Sequence, residues 1–155
     1  MIERLKVYDE GVQSGRWNAP ALLSVDTEPA ATRVKISRYV TDENQRHVLT
    51  DTRDLGPAPI RDLAVDRGSY LLELEFDGRD PVPYPVQLGR GEQRTVSLKL
   101  PPRSAIPEGF VFIAAGTSLF GSDDEEMLRR KFFLTVPQHS IKTEDFLIAR
   151  HETTY

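Results

Sequence analysis

The chain has 155 residues, 39% of them hydrophobic and 28% charged, with a formal net charge of −4 and no cysteine. That length is enough for one modest domain with a core of its own plus extra segments. The acidic balance, with no basic block, excludes an electrostatic footprint for nucleic acid or anionic lipid, and the missing cysteines exclude a disulfide framework and thiolate metal sites.

The N-terminus Met1-Ile2-Glu3-Arg4 lacks a signal-peptide core, and no apolar run approaches the roughly 20 residues that span a bilayer. A cytoplasmic location is expected, with an envelope-associated one as the alternative. Eleven prolines and ten glycines spread along the chain predict many turns and many short strands.

Residues 2–12 place Ile2, Leu5, Tyr8 and Val12 at helical spacing with charges between, and Gly11 and Gly15 punctuate the end. We expect a short amphipathic helix within an N-terminal linker covering residues 1–18. From residue 21 to residue 100 the period changes to two. Leu22 to Thr27 and Arg33 to Arg38 are candidate strands, and residues 60–65 form a weaker one. In Ser69-Tyr70-Leu71-Leu72-Glu73-Leu74-Glu75-Phe76, the residues Tyr70, Leu72, Leu74 and Phe76 share one face, with Glu73 and Glu75 on the other.

Asp77-Gly78 supplies a turn into a strand through Tyr84, Val86 and Leu88. Gly89-Arg90-Gly91-Glu92 reads as a hairpin into Thr95-Val96-Ser97-Leu98-Lys99-Leu100. Six or so short strands at this spacing predict a mainly β fold, a small antiparallel sandwich over residues 19–103, with Tyr70, Leu72, Leu74, Phe76, Val86, Val96 and Leu98 in its core.

Pro101-Pro102-Arg103-Ser104 reads as a stiff linker, followed by a partial α+β segment over residues 104–155. Residues 110–114 look like a buried strand. Ser122-Asp123-Asp124-Glu125 has the form of a capping box, predicting a helix over residues 123–131. Residues 148–154 read as the lead-in to another helix.

Two stretches carry family resemblances. Leu23-Ser24-Val25-Asp26-Thr27-Glu28-Pro29-Ala30-Ala31, Leu55-Gly56-Pro57-Ala58-Pro59-Ile60 and Asp66-Arg67-Gly68-Ser69-Tyr70-Leu71-Leu72 resemble the turn and strand motifs of PEGA modules, small β-sandwiches of bacterial surface and signalling proteins. The eponymous tetrapeptide stands here as Glu28-Pro29-Ala30-Ala31, without its glycine. Phe112-Ile113-Ala114-Ala115-Gly116, Phe120-Gly121-Ser122, Pro137-Gln138-His139-Ser140-Ile141 and the string from Phe146 to Tyr155 resemble the opening of the formylglycine-generating enzyme/sulfatase-modifying factor family.

The catalytic cysteines and metal positions of active members of that family lie further on. The resemblance therefore implies no catalytic residue, cofactor or metal ligand in these 155 residues. The two resemblances in tandem are similar to the C-terminal regions of some bacterial serine/threonine protein kinases. They imply a kinase domain upstream in the same polypeptide and a sensory or regulatory, non-enzymatic role for this part.

Residue-level candidates for chemistry are weak. Gly116 and Gly121 have P-loop spacing, but Ser122 stands where the phosphate-reaching lysine is needed, so a structural turn is expected. His151-Glu152 opens like a zinc-protease helix, yet Tyr155 replaces the second histidine. His47 and His139 lack carboxylates at ligand spacing, and His139 reads as a packing and hydrogen-bonding position. Asp123, Asp124, Glu125 and Glu126 fit a solvated helix N-terminus better than a calcium loop. Phe132, Phe133 and Phe146 read as core more than as a sugar-stacking face.

The leading expectation is a binding and regulatory module for a protein or glycan ligand. Two others stand beside it: part of an oxidase whose active site lies beyond Tyr155, and an envelope module that binds glycan through the loop at Leu55-Gly56-Pro57-Ala58-Pro59. The aromatic content of residues 106–155 predicts docking on the sandwich or self-association through that segment.

Overall fold

The computed structural model describes residues 19–123, 125–128, 130–131 and 135–152. The expected helix of residues 2–12 lies outside them. The chain divides into two compact units, with the boundary between Ala105 and Ile106. It follows a short 3-10 turn at Arg103–Ala105, closed by Ala105 N–H donating to Pro102 O at 2.9 Å.

The first unit is a β-sandwich of seven described strands. One sheet holds β1 (Ala21–Glu28), β4 (Ile60–Val65) and β7 (Gln93–Lys99) in the order β4-β1-β7. The other holds β2 (Arg33–Thr41), β3 (His47–Pro57), β5 (Gly68–Glu75) and β6 (Val82–Leu88) in the order β3-β2-β5-β6. Alternation along the strands sends Ala21, Leu23, Val25, Val96 and Leu98 from one sheet, and Val34, Ile36, Tyr70, Leu72, Leu74, Val82 and Val86 from the other, into a buried core. Six of the seven expected core residues are there. Phe76 is the exception: it falls just past the end of β5, half-buried under the Arg79 guanidinium, whose carbon lies 5.7 Å from the ring centroid.

Three further expectations for this unit change. The pairing is not wholly antiparallel, because β1 and β7 run parallel, from Leu22 opposite Gln93 to Glu28 opposite Lys99. Gly89-Arg90-Gly91-Glu92 is consequently no hairpin: β6 and β7 belong to different sheets, and this turn carries the chain across the core. Gly91, at φ +62, donates to Ala19 O, and Glu92 O accepts from Leu22 N–H, which sets the start of the parallel ladder.

The third change is an added strand, β3, which the period of two did not reveal. Its apolar residues Val48, Leu49 and Leu55 are sparse, and two register irregularities against β2 break the alternation. The turn at Glu28-Pro29-Ala30-Ala31 does without glycine by placing Ala31 in the left-handed region at φ +61. Thr32, fully buried, bonds its hydroxyl to Pro29 O at 2.7 Å.

The second unit contains two antiparallel ribbons: β8 (Phe110–Ile113) with β11 (Phe146–Ala149), and β9 (Gly116–Phe120) with β10 (His139–Thr143). Residues 116–120, expected as a turn, are therefore a strand. Ile148 and Ala149, expected to lead into a helix, lie in β11. Residues 110–113 form the expected strand, but it is not buried, and no described residue of this unit belongs to the buried set. Helix α1 is the single turn Glu126–Leu128, inside the expected span of residues 123–131. Gly121 is a steric requirement: at φ +97, a Cβ there would lie 2.6 Å from the carbonyl oxygens of both Val136 and Pro137.

Candidate functional site

One of the two irregularities of the four-stranded sheet falls where β3 passes Ser37. Arg38 is in register with Thr50, but Ile36 is in register with Arg53, so β3 carries one extra residue there. Asp51 absorbs the bulge at φ +52, a conformation aspartate tolerates better than most residues. The bulge is pinned from beneath by a 2.8 Å hydrogen bond between the hydroxyls of buried Ser37 and Thr52. It brings Asp51 and Arg53 to the rim of a cleft of about 560 Å³, whose lining also includes Ile36 and Arg38 of β2, Ala64 and Val65 of β4, Asp66, and Tyr70 of β5.

Arg38 faces Tyr70 across β2 and β5. Its guanidinium carbon lies 5.9 Å from the tyrosine ring centroid, and it donates to Arg67 O at 3.2 Å. The Tyr70 hydroxyl donates to Asp66 O at 2.7 Å. Burial pushes the Tyr70 phenol above its ordinary value; the Arg38 charge opposes that shift and the Asp66 charge adds to it.

No carboxylate among the described residues pairs with Arg38 or Arg53, although six ion pairs occur elsewhere among them. This distinguishes the cleft from a second hollow of about 430 Å³ beside Arg33, Glu75, Phe76 and Arg79. There Arg33 is bound to Asp54, Lys35 to Glu75 at 2.8 Å, and Arg79 to Leu100 O. Charge already neutralised internally has little left for a ligand, so the first cleft is the stronger candidate.

The histidines belong to different elements. His47 begins β3, His139 begins β10 and His151 follows β11. His139 Nδ1 lies 2.9 Å from Pro137 O, and its ring meets Phe120 edge-on at 5.8 Å. Glu126 of the acidic run pairs with Arg130 at 2.7 Å, as a solvated helix face would. Phe132 and Phe133 lie outside the described residues, while Phe146 is exposed on β11.

The loop considered for glycan binding is laced down: Ala58 is buried, donates to Thr32 O at 2.8 Å and accepts from Ala31 N–H at 3.2 Å. Among the described residues no group of three His, Asp or Glu side chains is placed to hold a metal ion, and no helix is long and apolar enough to cross a membrane. Sequence reading missed the cleft because its residues come from four strands. The only local signal was the run Asp51-Thr52-Arg53-Asp54, which is too charged for an ordinary strand. The chain matches no protein-family model and no curated protein.

Proposed function

We propose that this chain is a non-catalytic recognition module of a larger bacterial signalling protein, of the kind that carries a serine/threonine kinase domain, and that the sandwich cleft binds an extended acidic peptide segment. The observation carrying this reading is the pair Arg38 and Arg53, two guanidinium groups at one cleft with no carboxylate partner among the described residues. A guanidinium presents a planar fork suited to a carboxylate, and an aromatic floor at Tyr70 holds one of the two in place. Asp51 and Asp66 on the same rim would select against peptides whose acidic residues fall out of register. The PEGA-like turns and the modifying-factor-like string add support for a signalling context.

The test is an NMR titration of the full chain with an acidic hexapeptide and, separately, with chitotetraose. The expected result is salt-sensitive shifts from the peptide at residues 38, 51–53, 64–66 and 70. Arg38→Gln and Arg53→Gln should each weaken binding about tenfold, or about 1.4 kcal/mol. Shifts from the sugar alone would move the reading to glycan binding. Shifts from neither probe, or peptide shifts scattered away from the cleft, would reject it.

A further inference from the structure

The free edges of the sandwich are treated unequally. A sheet edge presents unpaired backbone donors and acceptors, and native proteins blunt such edges with proline, bulges or inward turns of the chain. At the outer edge of β3 the strand is bulged twice, with Asp51 at positive φ. At the outer edge of β4 the register slips between Leu23 and Val25 of its neighbour, and Asp62 sits at φ +46. At the outer edge of β6, Pro83 and Pro85 face Glu73 and Leu71 of β5. Because proline cannot donate to the ladder, these are positions that point away from β5, and they strip donors from the free side.

β7 has none of these devices. It runs seven residues in unbroken register with β1, without proline, bulge or positive φ, and no described strand pairs with its other side. Leu22 N–H donates to Glu92 O and Leu100 N–H to Glu28 O. That parity turns the even-numbered residues of β7 toward β1, and it leaves the N–H and C=O groups of Gln93, Thr95, Ser97 and Lys99 facing outward.

We propose that the open edge of β7 pairs antiparallel with β7 of a second copy of this chain, joining two three-stranded sheets into one of six strands. The occupant is identified by the sequence of the strand itself. A two-fold axis at Val96 sets Thr95 opposite Ser97, Gln93 opposite Lys99 and Arg94 opposite Leu98, so no like charges face each other. The four outward residues then face one another in hydrogen-bonded pairs, each exchanging two backbone bonds.

The experiment uses the full chain with Thr95 and Ser97, both exposed and facing each other across the proposed axis. One double variant is T95E/S97E and the other T95K/S97K. In each alone, like charges oppose across the pair; in a mixture, Glu faces Lys. Sedimentation should show the unsubstituted chain at twice 17.5 kDa. Each double variant should be a monomer, with association weakened at least about tenfold, and the equimolar mixture should restore the dimer. Unchanged amide spectra of the variants away from β7 verify that the sandwich stays folded.

A monomeric unsubstituted chain at about 1 mM, where even a millimolar Kd leaves much of the protein paired, would overturn the proposal. So would a dimer that both variants leave intact; that result would place the contact elsewhere, with the exposed ribbons of residues 106–155 as the rival surface.

Discussion

Replacing Leu74 by alanine tests the register of the whole four-stranded sheet. Leu74 is fully buried on β5, directly between Val34 of β2 and Val82 of β6, which are themselves 0% and 2% exposed. Removing three carbons forfeits about 2.4 kcal/mol of transfer free energy, at about 0.8 kcal/mol each. Paired strands on both sides hinder collapse, and a residual void of about 60 Å³ adds about 1.5 kcal/mol. The sum, about 4 kcal/mol, is a large part of the roughly 5–15 kcal/mol that holds a small domain together.

Because the chain has two units, a single melting curve does not isolate the sandwich. Native-state hydrogen exchange of the β2 and β5 amides does, and it should accelerate by about 10³-fold at constant pH. Leu49→Ala, on β3 at 43% exposure, is the control and should cost less than about 0.5 kcal/mol. If Leu74→Ala also cost less than about 0.5 kcal/mol, the inward face assigned to β5 would be wrong, and the sandwich register with it.

Gly121→Ala should disrupt the β9–β10 ribbon, since the new methyl collides with two carbonyl oxygens and the backbone is already left-handed; loss of amide protection at residues 117–120 and 139–142 is the readout. Tyr70 should titrate above free tyrosine, and Arg38→Gln should raise it further by removing the opposing positive charge, as followed by the Tyr70 ring resonances. The Arg33 hydrogen bond, followed by the Gly56 N–H, holds the Asp54 carboxyl below the ordinary range. Its stabilising contribution is thus present above the unfolded value near 3.9 and is lost as pH falls through the lower folded value. Asp54→Asn should flatten the acid limb of a urea-denaturation series between about pH 2 and 5, and an acid limb identical to that of the unsubstituted chain would exclude the pair as its source.

The parts of the fold legible in the sequence were those governed by local alternation. β5 announced itself through Tyr70, Leu72 and Leu74, and β7 through Val96 and Leu98, because a half-buried strand must alternate. What escaped was set by partners distant in the chain. The parallel pairing of β1 with β7 joins residues some 70 positions apart, and no local pattern distinguishes a crossing turn from a hairpin when both need Gly91 at positive φ. β3 escaped because an edge strand covered on one side only does not need a regular apolar face.

The aromatic-rich second unit misled in the opposite direction. Hydrophobic runs such as Phe110 to Ile113 suggested a buried strand, whereas Phe110 is 39% and Phe146 46% exposed. The cleft was invisible to any linear scan: its two key arginines lie on adjacent strands, and the bulge that presents Arg53 depends on the Ser37–Thr52 bond.

The cleft and the open edge occupy opposite sides of the three-stranded sheet. In the order β4-β1-β7, the cleft takes Ala64 and Val65 from β4, while the proposed pairing uses β7, with β1 between them. Pairing two copies through β7 therefore leaves both clefts open, and it relates them by the same two-fold axis. A partner carrying two acidic segments on a linker of suitable reach would engage both clefts, and the second contact would form at the effective concentration set by that linker. This predicts a separation of effects. T95E/S97E should leave the affinity for a single acidic hexapeptide unchanged, since neither residue lines the cleft, but should remove the gain shown by a tethered pair of hexapeptides. Isothermal titration of both ligands against both proteins measures it. Equal loss for the single and the tethered peptide would mean that the β7 edge and the cleft are not independent, and that the two-fold arrangement does not position the sites in this way.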